Sequence, residues 1–146
     1  MAKFGKVSKE RLSTCEDKLQ TVFNKVIQEF DCTVTCGHRT QGEQLQLFKQ
    51  GRTLTNGKWI KTGKTVTNTD GYKKMGKHNY YPSKAVDVCP YPIDWNDLGR
   101  FKELHKVVMR VASEEGVELV WGADWDSDGD IAEHSLQDYP HYELKD

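Results

Sequence analysis

The segment KAVDVCP, Lys84 to Pro90, constrains the fold more tightly than any other part of the chain. Its β-branched valines read as a strand that Pro90 closes. Side chains alternate across a strand, so Asp87 points away from both Val86 and Val88. If the valines enter a core, Asp87 faces the other side of the sheet. The chain therefore needs a sheet with an apolar face under helices and a polar face that makes use of a carboxylate.

Two amphipathic stretches can supply the covering layer. Residues 9–30 place Leu12, Cys15, Leu19, Val22, Phe23, Val26, Ile27 and Phe30 at steps of three and four, with Ser8 as N-cap, which predicts one long helix. Residues 95–115 predict a second, with Leu98, Phe101, Leu104, Val107, Val108 and Val111 on one face and a stop at Gly116. Between them, CTVTC (32–36) reads as a strand. Thr40 and Glu43 stand at capping-box spacing at the start of a shorter helix that ends at Gly51. Residues 51–77 form a long polar connection. Asn56-Gly57 and Thr62-Gly63 predict turns in it, the first within a small hairpin around Trp59. VELVW (117–121) and HYEL (141–144) complete the strands. The fold class expected is α+β: one domain over residues 1–146, with a small, mostly antiparallel sheet and two long helices packed on it.

A length of 146 residues suits a single core. No apolar run approaches the roughly 20 residues of a membrane span. The basic start MAKFGKVSKERLSTCEDK has no apolar stretch behind it, so no secretory signal peptide is expected. Cys15, Cys32, Cys36 and Cys89 then read as reduced thiols; on a strand, Cys32 and Cys36 lie roughly 13 Å apart, too far to pair. The net charge of −1 hides an asymmetry. Lys49 to Lys84 holds nine bases and one acid, whereas Glu114 to Asp146 holds eleven acids and one base. A basic face suits an anionic partner. Nucleic acid is not expected to be that partner, because no nucleic-acid motif or aromatic platform accompanies the charge.

Of the five histidines, His105 lies near the apolar face of its helix and reads as structural, His38 could flank a site, and His134 receives no role. His78 and His141 have more telling company. His78 lies nine residues before Asp87. His141 follows Asp138 by three residues and shares a strand face with Glu143. Two histidines and one carboxylate, with a fourth position left to water, form a common catalytic zinc set. By spacing alone, unrelated surface residues explain the same positions. DWDSDGD places Asp124, Asp126, Asp128 and Asp130 around Gly129 and imitates the first half of a calcium loop. Ser135 stands where the loop's closing glutamate belongs. A weak Ca²⁺ site and an acidic solvent loop are both open readings.

KHNYYPSKAVDVCPYPIDW together with DYPHYEL resembles the D-alanyl-D-alanine carboxypeptidase superfamily of zinc peptidases, and within it the phage endolysins that are L-alanyl-D-glutamate peptidases. The family pattern is Ser-x-His, a spacer, Ala-x-Asp, and a distal acid-x-x-His. Here it is met by His78, by Ala85-Val86-Asp87, and by Asp138-Tyr139-Pro140-His141. GHRTQGEQLQLFKQGRT resembles the family's Arg-Thr-x-x-x-Gln helix entry, through Arg39, Thr40 and Gln44, and WGADWD resembles the segment before the last strand. The likeness runs over about residues 33–144. One position departs from it: Gly76 stands where the family has serine, and Lys77, Asn79 or Ser83 could substitute in holding substrate.

The resemblance implies a hedgehog/DD-peptidase-like fold with one Zn²⁺ in a groove, held by His78, Asp87 and His141. It implies Asp138 as general base and Arg39 as partner of an oxyanion or a substrate carboxylate. Glu143 is the rival base, or else it orients a ligand imidazole. Gln44, Lys77, Asn79 and Ser83 become candidate substrate contacts. The implied substrate is bacterial peptidoglycan, cut between L-Ala and D-Glu. The implied enzyme is a monomer, made in the host bacterial cytoplasm and reaching the wall by a holin-dependent route. The alternatives are a D-Ala-D-Ala carboxypeptidase or dipeptidase, and a non-catalytic zinc-stabilised cell-wall binding module, against which the retained Asp138 argues.

Overall fold

The structure, a computed structural model, describes residues 2–124 and 138–145. Its main sheet has four strands: β1 (Cys32–Cys36), β4 (Ala85–Pro90), β5 (Leu119–Trp121) and β6 (His141–Leu144), in the order β1-β4-β6-β5 with every pair antiparallel. β2 (Arg52–Thr55) and β3 (Lys58–Lys61) form a separate hairpin turned by Asn56-Gly57, as expected around Trp59. The helices are α1 (Lys6–Ser13), α2 (Asp17–Glu29), α3 (Gln41–Lys49) and α4 (Leu98–Glu114), and Lys77–Asn79 makes a short 3-10 turn. The class is α+β.

The apolar face of the sheet works as its alternation demands. Val86 and Val88 are fully buried, and Asp87 between them is not. Leu19, Val22, Phe23, Val26 and Ile27 from α2, with Leu104, Val108 and Val111 from α4, cover that face. Tyr142 of β6 lies wholly within this layer, its ring edge-on to Phe23 at 5.7 Å. All four cysteines are free.

The predicted first helix is two helices. The break at residues 14–16 comes from a distant partner: Ser83 N–H donates to the Thr14 carbonyl (2.8 Å), and Glu16 N–H donates to the Ser83 carbonyl (2.9 Å). Ser8 does not cap; it lies inside α1, where its Oγ accepts the Val34 N–H at 3.1 Å. The Thr40–Glu43 capping box is formed in both directions. Thr62-Gly63 makes no separate turn; both N–H groups donate to the Gly51 carbonyl and close the base of the hairpin.

Candidate metal centre and its groove

The sheet places three residues in one row. Asp87, in the middle of β4, is opposite Cys36 of β1 on one side and His141 of β6 on the other. His78 reaches the same point from the 3-10 turn, whose carbonyl accepts the Arg39 N–H at 2.8 Å. His78 Nε2 and His141 Nδ1 both lie 3.2 Å from Asp87 Oδ1, and the two rings stand 5.1 Å apart at 64°. Asp138, which enters β6 through a tight turn, shares this centre: one ligand atom each of Asp87, Asp138 and His141 lies within 4.8 Å of the other two.

The outer nitrogen of each ring is tied down. His78 Nδ1 lies 2.7 Å from the Gly37 carbonyl, and His141 Nε2 lies 2.8 Å from Glu143 Oε1. Both partners are acceptors, so each outer nitrogen donates and each inner nitrogen is left with a lone pair aimed at Asp87. Acceptors facing one another repel unless protons or a cation lie among them. Burial penalises charge on both imidazoles. The hydrogen bonds to Asp87, and from His141 to Glu143, outweigh it and hold both above the ordinary histidine pKa. For Asp87, burial opposes ionisation, but the two histidines hold its carboxyl well below the usual carboxylate range. Two imidazole nitrogens and one carboxylate converging on one point, with both outer nitrogens held by acceptors, fit a divalent ion such as Zn²⁺.

Asp138 is shifted the other way. Burial first, and the negative charge of Asp87 second, raise its carboxyl above the usual value. Arg39 lies across the centre, with Nη1 donating to Gln44 Oε1 (3.0 Å), Nη2 to Cys36 Sγ (3.4 Å), and Nη2 also 3.8 Å from Asp87 Oδ2. Gln44 is buried, and its amide nitrogen donates to Thr67 Oγ1 (3.2 Å) and the Thr69 carbonyl (2.9 Å), which ties the long polar segment to Arg39.

These side chains line one groove of about 790 Å³. Arg39, Gln44, His78, Asp87, Asp138, His141 and Glu143 border it, as do Lys64, Lys74, Lys77 and Lys84. The structure corrects two of the expected substrate contacts. Ser83 is fully buried, its hydroxyl donating to the Ala85 carbonyl at 2.6 Å. Asn79 is buried between the Arg39 carbonyl (3.1 Å) and the Gly76 N–H (2.8 Å). Both shape the turn that carries His78 and neither borders the groove. His38 also points elsewhere, its ring edge-on to Tyr81 at 5.1 Å.

The profile of the phage L-alanyl-D-glutamate peptidase family matches residues 1–145. The chain belongs to this family. It is similar to the L-alanyl-D-glutamate peptidase of Escherichia phage T5, with 32% identity over 133 residues, 88% of this chain and 85% of that protein. In three dimensions it is similar to the crystal structure of the Serratia marcescens L-Ala D-Glu endopeptidase ChiX, with a TM-score of 0.67 and 21% identity over 94% of this chain and 86% of the other.

Three residues of this family member's site escaped the sequence reading. Cys36 offers a thiol beside His78 and Arg39. Gly37 supplies the carbonyl that fixes His78, and it packs so closely on α1 that a Cβ would lie 2.2 Å from the Arg11 carbonyl oxygen. Gly122 clamps the turn from Asp138 to His141: its N–H donates to the His141 carbonyl (2.7 Å) and its own carbonyl accepts the Asp138 N–H (2.8 Å). A Cβ there would lie 2.2 Å from the Asp138 carbonyl oxygen. A glycine beside a tryptophan was the available signal for Gly122. Of the acidic loop, only Asp124 is described, buried near Trp121; Asp126, Asp128 and Asp130, and with them the calcium reading, lie outside the described residues, as does His134.

Proposed function

We propose that this chain hydrolyses the L-Ala–D-Glu bond in the stem peptide of bacterial peptidoglycan, with one Zn²⁺ held by His78, Asp87 and His141. The observation that carries the reading is the convergence of His78 Nε2 and His141 Nδ1 on one oxygen of Asp87, with the far side of each ring fixed by its own acceptor. When bound, the metal would act as a Lewis acid on water and on the scissile carbonyl.

The remaining work falls to side chains of the groove. Asp138 accepts a proton from the attacking water and delivers it to the leaving D-Glu amine. Its raised pKa makes it a stronger base than a solvated carboxylate, and it acts only when ionised. Arg39 presents a planar cation to the carbonyl oxygen as negative charge develops there, in a site where burial strengthens the attraction. Glu143 keeps the His141 ring turned so that Nδ1 faces the centre. Lys64, Lys74, Lys77 and Lys84 offer cations to the carboxylates of the peptide beyond D-Glu.

Among the described residues no helix is long and apolar enough to cross a membrane, so in this reading passage to the wall depends on a separate lesion such as a holin makes. The deciding experiment digests purified sacculi and identifies the new amino termini by mass spectrometry. New D-Glu amino termini, lost after chelation and restored by zinc, support the proposal. Release of terminal D-alanine, or full turnover in metal-free protein, would overturn it.

A further inference from the structure

β4 runs through the site like a ruler. Lys84 precedes Asp87 by three residues and Tyr91 follows it by four, which at strand spacing is about 10 Å one way and about 13 Å the other. The Lys84 end is a lysine arm: Lys77 Nζ donates to the Leu144 carbonyl at 3.2 Å, the Leu144 N–H donates to the Lys84 carbonyl at 2.9 Å, and both lysines border the groove. At the other end the chain leaves the sheet and turns back toward α4, the Tyr91 carbonyl accepting from Arg100 Nη2 at 3.4 Å.

This returning loop is chemically unlike the arm. Residues 91–97 contain no base, and they leave Tyr91 and Trp95 each 54% exposed and Ile93 45% exposed. The Trp95 ring is backed rather than loose. It stacks on Phe101 at 6.0 Å and 25°, and Phe101 meets Tyr139, the neighbour of Asp138, at 6.2 Å. An exposed, buttressed apolar ledge whose acids, Asp94 and Asp97, stand beside one base, Arg100 on the Tyr91 carbonyl, offers a carboxylate-bearing peptide little net attraction. It suits a neutral sugar ring, which has an apolar face for stacking and a rim of hydroxyl and amide groups for hydrogen bonds.

We propose that the Tyr91–Trp95 ledge holds the glycan strand, so that the enzyme grips its substrate on both sides of the scissile bond. The inference rests on the proposed peptidase reading, and the polarity of the substrate carries it. Only L-Ala and the lactyl group separate the scissile bond from the muramyl ring, two short links spanning roughly 7 Å when extended. The free carboxylates all lie on the D-Glu side. A stem peptide whose carboxylates meet the lysine arm therefore directs its sugar toward Tyr91 and Trp95.

The test compares a disaccharide-tetrapeptide muropeptide with the same tetrapeptide lacking sugar, using wild-type enzyme, Trp95→Ala and Tyr91→Ala. Thermal melts verify folding, and Tyr91→Ala decides if removing Trp95 from Phe101 unfolds the loop. The expected result is a loss of about tenfold in kcat/KM on the muropeptide, the worth of about one aromatic contact, with the sugar-free peptide cleaved as by wild type. Peptide-free glycan strands should also quench wild-type tryptophan fluorescence. Equal losses on both substrates, or no loss on either, would overturn the ledge while leaving the peptidase reading intact. A wild-type enzyme that cleaves neither substrate would overturn the peptidase reading and the ledge with it.

Discussion

His78 and His141 on one face of the sheet are buried and His105 against the other is partly so, yet they respond in opposite ways. His105 stacks on Trp121 at 3.8 Å and 17°, with the hydroxyl of Tyr142 3.5 Å from its Nδ1. Burial drives its pKa down to about 4, and the charge of Asp124 offsets this only in part. At His78 and His141 burial acts in the same direction, but a carboxylate in hydrogen-bond contact reverses the outcome. The neighbour, not the depth, separates the two histidines proposed as zinc ligands from the packing one.

The sharpest break between the two environments comes from removing the rings. His141→Ala should leave protein with no stoichiometric zinc and no activity, whereas His105→Ala should bind zinc normally and melt at lower temperature. Elemental analysis and thermal melts on the two variants check this, and a zinc-replete His141→Ala would remove His141 from the ligand set. Next in size is Asp138→Asn. It keeps the shape of the side chain and removes its basicity, so zinc content should be unchanged while kcat falls by on the order of 10²–10⁴. Loss of zinc in that variant would make Asp138 a ligand. Glu143→Gln tests the outer contact of His141: zinc affinity in a competition titration should fall by about 10–100-fold, with activity largely recovered at saturating zinc. If Glu143→Gln instead lowers kcat more than Asp138→Asn does, the two acids exchange roles.

The smallest effect belongs to His105. Its folded pKa lies below the ordinary 6.5, so between about 4 and 6.5 the unfolded chain binds the extra proton. Its contribution to stability is complete above that window and is lost as pH falls through it. Urea midpoints at pH 7 and pH 5 should differ more for wild type than for His105→Gln, and an unchanged difference would mean that His105 is as solvated as a free histidine.

What could be read from sequence follows from where the determining contacts lie. The alternation around Asp87, the capping box at Thr40 and the apolar face of α4 are settled by residues a few positions apart, and the structure agrees with each except at Leu98, which begins α4 exposed. The break between α1 and α2 is different. The apolar period runs unbroken through Leu12, Cys15 and Leu19, and the residue that interrupts the helix is Ser83, far along the chain. The same separation hid Cys36, which joins the site only because β1 pairs with β4, and it made Ser83 and Asn79 look available to substrate when they are buried supports of the His78 turn. Motif spacing singled out His78, Asp87 and His141, which the structure brings together, and long-range pairing decided which of their neighbours border the groove.

The contact between Gly37 and α1 bears on how this catalytic unit can be engineered. The carbonyl that fixes the outer nitrogen of His78 belongs to a residue seated on Arg11 and Thr14, and the next N–H along, that of His38, is held by the Thr14 hydroxyl at 2.8 Å. The first helix is thus part of the bracket for a proposed zinc ligand although it lies outside the motifs that single out the site. A chimera joined at the start of β1, or a linker that strains α1 away from Gly37, would retain His78, Asp87, Asp138 and His141 and still loosen the His78 ring. Fusions made ahead of Lys6 preserve that bracket.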